Sequence, residues 1–189
     1  MSSLREGRVA ARRLCTWCVV VCLLVLVRSA AVAKAGAPSE YEVKAAYIYN
    51  FATFVEWPAA AFSQPNSPIV IGIVGKDPFG ATFDRVVEGK AINNRPLVVR
   101  RLKWGPEVRQ CHILFVSVSE KDKIGRLPEL LKGAPVLTIG ETTGFARNGG
   151  IINFFLDEAR VRFEINPQAA RQAGLSISSR LLSLAKIVV

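Results

Sequence analysis

The chain has 189 residues, 25 Lys and Arg against 15 Asp and Glu, one histidine and four cysteines. A single histidine excludes a multi-histidine metal site, and the length suits one domain of ordinary size able to bury a core without staples. Part of the net charge of +10 sits in the first 33 residues, and the rest is a mildly basic surface without a nucleic-acid footprint.

The amino end reads as a secretory signal peptide over residues 1–33. Arg5, Arg8, Arg12 and Arg13 form a positive region, Leu14 to Val27 an apolar run, and Ala31-Val32-Ala33 a small-residue cleavage site. A spanning helix needs about 20 apolar residues, so the run is too short for an anchor. Sec-type export with cleavage near Ala33 is expected, giving a protein that works outside the cytoplasm, away from ATP, NAD and chromosomal DNA. Residues 34–38 are then a mobile remnant, and 39–189 form a single domain. Cys15, Cys18 and Cys22 leave with the leader, and Cys111 stays alone. An unpaired cysteine in an exported protein is either buried or paired between chains. Cys111 opens the apolar run His112 to Val116, which favours burial.

Ser39 and Glu42 form a capping box that starts a helix running to Trp57, where Pro58 stops it. Val43, Tyr47, Phe51 and Phe54 fall on one face, with Asn50 beside them as a polar interruption. Ile69 to Val74 reads as a strand covered on both faces. Phe79 to Glu88 is helical, Leu97 to Leu102 a strand, Trp104 to Arg109 a short helix and Ile113 to Val118 a third strand. Asp122 to Lys132 is helical and ends at Gly133. Val136 to Ile139 is a further strand. Ile151 to Leu156 and Arg160 to Ile165 form a hairpin around Asp157-Glu158. Val161, Phe163 and Ile165 are expected to be buried, and Arg160, Arg162 and Glu164 wet. Asn166 and Pro167 start a helix ending near Gly174. Ile177, Leu181, Leu184-Ala185 and Val188 make the stripe of a last helix. The rhythm predicts a three-layer α/β fold. Its sheet is mostly parallel, with an antiparallel C-terminal hairpin at one edge and helices on both faces.

The search for chemistry is mostly negative. Gly75 to Thr82 has the glycine spacing of a phosphate loop, but Ala81 stands where the lysine belongs. Cys111 and His112 are neighbours in a strand and point to opposite faces, so they form no dyad. The serines near the last helix have no nucleophile elbow around them. No catalytic residue, metal ligand or cofactor is assigned. The basic patch Arg95, Arg100, Arg101 and Lys103 reads as a solvated strand end before an anion site. Asn50, Asn153 and Arg147 are each either locally satisfied groups or the lining of a pocket or partner surface.

Several stretches together resemble the YfiR family. These are Val43 to Pro58, Ile71 to Gly80, Cys111 to Val116, Gly149 to Phe154, Val161 to Asn166 and Leu175 to Leu182. The resemblance covers essentially the whole mature chain, in order. It implies a non-catalytic periplasmic repressor of an inner-membrane diguanylate cyclase, acting on that enzyme's periplasmic domain and so on cyclic di-GMP and biofilm formation. It also implies a possible homodimer, and an outer-membrane lipoprotein that sequesters the repressor. Relatives serving other membrane partners, including sensor kinases, belong to the same reading. Family members often carry paired cysteines, and this chain departs from that pattern. The partner surface is expected near Trp57 and on the C-terminal helices at Gln168, Arg171, Ser178, Ser179 and Arg180. The rival reading is a periplasmic small-ligand receptor with its pocket above Gly75 to Phe79.

Overall fold

The structure, a computed structural model, describes residues 38–188. The leader, its cleavage site and Cys15, Cys18 and Cys22 lie outside the described residues, as does most of the expected remnant.

An eight-stranded sheet organises the domain. In spatial order it runs β10 (Lys186–Ile187), β8 (Arg160–Ile165), β7 (Ile152–Asp157), β6 (Leu137–Gly140), β5 (Ile113–Val116), β2 (Ile69–Val74), β4 (Arg95–Leu102) and β3 (Ala91–Ile92). The five strands from β7 to β4 are parallel, and the β7–β8 hairpin is antiparallel. Two-residue strands flank both ends: β10 runs parallel to β8, and β3 is antiparallel to β4. The expected mostly parallel α/β architecture is the one observed.

Strand periodicity assigns the two cores. Ile71 and Ile73, Ile113 and Phe115, and Leu137 and Ile139 face one core, with Phe51 and Phe83 from the helices. Val70 and Val74, Leu114 and Val116 face the other, with Ile124, Leu127 and Phe145. The first core is roofed by α1 (Glu40–Thr53), α2 (Ala81–Val87), α4 (Pro167–Gln172) and α5 (Ser179–Leu182). The second is covered by 3-10 turns and the single-turn helix α3 (Leu127–Leu130). At Gly72 the sheet admits no side chain, because a Cβ there would stand 2.5 Å from Cys111 Sγ. Cys111 is buried and unpaired, as expected, and burial pushes its thiol up to about 11.

Several boundaries move, each for a local reason. α1 begins at the predicted capping box, with Ser39 Oγ accepting from the Glu42 N–H and Glu42 accepting from the Ser39 N–H. It ends at Thr53 rather than Trp57. The Phe54 N–H closes onto the Phe51 carbonyl, and β1 (Val55–Glu56) leaves to pair with β9 (Ser176–Ile177). Its buried stripe is Ala45, Ile48, Phe51 and Ala52 with Lys44, so Asn50 is exposed and off the apolar face. The helix expected over Asp122 to Lys132 is a 3-10 run, Val118–Arg126, followed by α3. Gly125 weakens the helical segment, and Pro128 sits in the first turn of α3 where its missing N–H costs nothing. Trp104 to Arg109 is likewise a 3-10 turn, Pro106–Gln110.

The carboxyl end departs most. In place of one helix stand β9, the four-residue α5 and β10. Ser178 caps α5, and the Val188 N–H donates to the Ile165 carbonyl, drawing the chain into the sheet. Strand β3, absent from the sequence reading, is made by an Asn93-Asn94 turn with φ of 50° and 63°. Asparagine tolerates that left-handed region better than most residues.

Candidate functional site

The C-terminal end of β6 and the start of β7 are where this sheet gathers its polar groups. On the helix side, Lys44 of α1 is almost fully buried and donates to Glu141 at 2.6 Å and to Glu40 at 2.5 Å. Burial opposes the Lys44 charge, but the two carboxylates outweigh it and hold its pKa above the ordinary value. Tyr41 adds an O–H bond to Glu141 at 3.4 Å. Its phenol is pushed up by burial and by the Glu141 charge. This cluster clamps the start of α1 over the end of β6. Sequence reading passed over it, although Glu40 and Lys44 have the i,i+4 spacing of a helix ion pair.

On the opposite face lies a cleft of about 500 Å³. Strand register sets its floor: Gly140, Asn153, Glu164 and Lys186 stand side by side across β6, β7, β8 and β10. Alternation puts Ile152 and Phe154 in the helix-covered core, so Asn153 turns to the thinly covered side. Glu164, predicted to be wet, is buried there. Asn153 Nδ2 donates to Glu164 Oε1 at 3.2 Å, and Asn153 Oδ1 is buried without a partner. Arg147, on a 3-10 turn at Ala146–Asn148, and Lys186 stand at the rim, and Phe155 lines a wall. The cleft therefore unites two of the three residues that folding alone left unexplained, Arg147 and Asn153. Asn50 is not part of it.

The C-terminal face carries the expected partner residues. Gln168 and Arg171 on α4, and Ser179 and Arg180 on α5, are all exposed. Arg171 borders a cavity of about 300 Å³ with Ala170, Leu175 and Leu182. Ser178 is a cap: its Oγ accepts from the Arg180 N–H, and its own N–H donates to the Phe54 carbonyl at 2.9 Å. Trp57 is half-buried and anchored, with Nε1–H donating to the His112 carbonyl at 3.1 Å. Its position is fixed by the residue that leads into β5.

His112 is built into the fold. Its Nδ1 accepts from the Val70 N–H at 3.0 Å, its Nε2 faces the Ala61 carbonyl at 3.1 Å, and its ring stacks on Phe62 at 4.5 Å. Arg95 covers the far face of Phe62 and donates to the Gln64 and Ser67 carbonyls. Burial, helped by the Arg95 charge, holds the His112 pKa below its ordinary value. The unfolded chain therefore takes up a proton first as pH falls, so stability is lost from about pH 6.5 downward. The expected slope is at most about 1.4 kcal/mol per pH unit, from one proton. Chemical denaturation at pH 7 and pH 5.5 checks it: His112→Gln should flatten the difference, and an unchanged difference would assign the titration elsewhere.

The turn after β2, above which the rival pocket was expected, is closely held by its own polar groups. A Cβ at Gly75 would stand 2.4 Å from Ser119 Oγ, and the Lys76 N–H donates to that hydroxyl. Asp77 accepts from the Phe79 and Gly80 N–H groups and from Arg101. Arg101 also forks onto Asp84, which holds the Asp84 carboxyl below its usual range. That pair accounts for the middle of the basic patch as a tie between β4 and α2. Among the described residues no group of three or more His, Cys, Asp and Glu side chains could hold a metal ion.

Comparison with known proteins places this architecture. Among solved structures the chain is similar to a conserved domain protein of Vibrio cholerae O1 biovar El Tor, at 15% identity and a TM-score of 0.50. That match covers 79% of this chain and 60% of the other, so the chain spans less than two thirds of its neighbour. A weaker likeness, TM-score 0.45 at 14% identity, is to a structure described as the ABC domain in complex with L-Trp from Streptococcus pneumonia, covering 64% of this chain and 55% of that one. No curated protein matches. A family profile described as YfiR/HmsC-like matches residues 41–186, from the first turn of α1 to β10. The chain belongs to the YfiR/HmsC-like family.

Proposed function

We propose that this protein is a non-catalytic periplasmic regulator that binds and represses the periplasmic domain of an inner-membrane signalling protein, a diguanylate cyclase. The observation that carries the reading is the family match across the whole described domain. The secretory pattern of the leader supports the compartment. Repression requires that the regulator bind the inactive form of its partner better than the active form, and the shift in output can be no larger than that difference. The exposed basic groups Arg171 and Arg180 are the proposed contacts, with Gln168, Ser178 and Ser179 around them and Trp57 holding the adjacent ribbon. An acidic surface on the partner would complement them.

Crosslinking in intact cells, followed by mass spectrometry of the captured membrane proteins, tests the reading. Recovery of a membrane protein with a diguanylate cyclase domain supports it, and recovery of a sensor kinase would move the output to phosphorylation. The double variant R171E/R180E should lose repression while unfolding within about 0.5 kcal/mol of the parent, as exposed substitutions do. Full repression by that variant would remove the C-terminal face from the mechanism.

A further inference from the structure

One edge of the sheet is left open. Beyond β4 stands only β3, whose two residues pair with Arg95 and Pro96. On that same side the Leu97 N–H donates to the Lys90 carbonyl. Alternation along the strand then turns the N–H and C=O groups of Val99 and Arg101 outward too, and among the described residues nothing pairs with them there. No proline or bulge blunts this stretch, since its register with β2 runs unbroken from Leu97 to Leu102. Val98 is 38% exposed, although it lies within a regular strand. The edge is also basic. Arg101 is tied to Asp77 and Asp84, but Arg100 and Lys103 are exposed and have no ion-pair partner among the described residues.

Charge decides what can pair here. Two copies of β4 joined antiparallel through Val99 and Arg101 put their two Arg100 side chains directly opposite or on the adjoining diagonal, where like charges repel. A strand carrying acidic side chains meets the opposite sign at the same place. We infer that the β4 edge, from Val98 to Leu102, docks an extended acidic segment of a partner protein as an added strand. Its backbone bonds to Val99 and Arg101 supply affinity that any strand could claim, and Arg100 supplies the selection. One acidic side chain of the segment lies beside Arg100. Its neighbours along the segment point to the other face, where Val99 and Val86 of α2 are only partly buried, and are therefore apolar. The surface stands at the other end of the sheet from β10, into which α5 leads, so it does not depend on the contacts proposed for Arg171 and Arg180.

The test is fluorescence anisotropy of the purified protein with a fluorescein-labelled peptide of alternating valine and glutamate, and with the matching valine and lysine peptide as control. Saturable binding of the glutamate peptide, and none of the lysine peptide, is expected. Arg100→Glu should weaken it by about tenfold, the scale of a reversed charge at a close cross-strand pair. R171E/R180E should leave it intact. N-methylation of the peptide reads the backbone without altering the protein: methylating one alternate set of amides removes the donors that face β4 and should abolish binding, and methylating the other set should not. Absence of saturable binding would overturn the site, as would equal binding of the lysine peptide, full binding by Arg100→Glu, or the same result from both methylated sets. Sedimentation of the protein alone supplies the last arm: a dimer that the peptide dissociates would give the edge to a second copy and overturn the acidic partner.

Discussion

Truncating Phe51 to alanine is expected to cost about 4 kcal/mol, the usual toll for a large aromatic removed from a rigid core. Phe51 is 1% exposed and sits at the centre of an aromatic cluster. Its ring centroid lies 4.9 Å from Phe163, 5.7 Å from Phe154 and 5.8 Å from Tyr47. The cluster joins α1 to both strands of the C-terminal hairpin, so the cavity would open where three elements meet and none can collapse alone. A domain stability of about 5–15 kcal/mol leaves little margin for that loss. Phe51→Leu keeps most of the volume and should cost about 1.5 kcal/mol or less. Urea unfolding of both variants reads the difference. An alanine cost under about 1 kcal/mol would mean that the cluster is not packed as described.

Lys44→Ala is expected to destabilise the domain by about 3 kcal/mol, the range seen when one partner of a buried ion pair is removed. The loss comes less from the missing attraction than from what remains. The Glu141 side chain is only 8% exposed and would keep its charge with no cation beside it. The double variant Lys44→Met, Glu141→Gln removes both charges and should recover most of the stability, because a buried pair is roughly break-even against apolar neighbours. If the double variant is as unstable as Lys44→Ala, packing by the lysine stem, and not charge, holds α1 in place.

The two effects also mark where the sequence was legible. Strand runs such as Ile69–Val74 announced themselves because a strand covered on both faces has no polar position to confuse the reading. The capping box at Ser39 and the hairpin around Asp157-Glu158 are local, and local signals survive translation into structure. The face of α1 was misjudged because its sequence is apolar nearly all round, so period alone could not choose between Tyr47 and Ile48. The tie that chooses, Lys44 to Glu141, spans nearly a hundred residues and leaves no local trace. Glu164 was misread for a related reason. Alternation states correctly that it faces away from Phe163, but which layers cover that face depends on Arg147, Lys186 and the register of three other strands. The C-terminal stripe from Ile177 to Val188 fits a helix as a pattern, yet each short piece is claimed by a strand already in place. Of the nine residues selected for partner or ligand contact, Arg147 and Asn153 meet in one cleft, and Gln168, Arg171, Ser179 and Arg180 share the exposed C-terminal segment. Asn50 stands apart, and Trp57 and Ser178 are held by hydrogen bonds to the backbone.

The ribbon between β1 and β9 has a consequence for the order in which the molecule can be completed. It pairs Val55 with Ile177 and Glu56 with Ser176, positions separated by roughly 120 residues, and such long-range closures form late and slowly. A chain that emerges amino end first must hold the Phe54 carbonyl and the edge at Val55 without their ribbon partners until Ser176 to Ser178 appear. Ser178 and the start of α5 then dock onto the Phe54 carbonyl in the same event. The part of the proposed basic surface that α5 carries, Ser179 and Arg180, is thus set against the rest of the domain only at that late step.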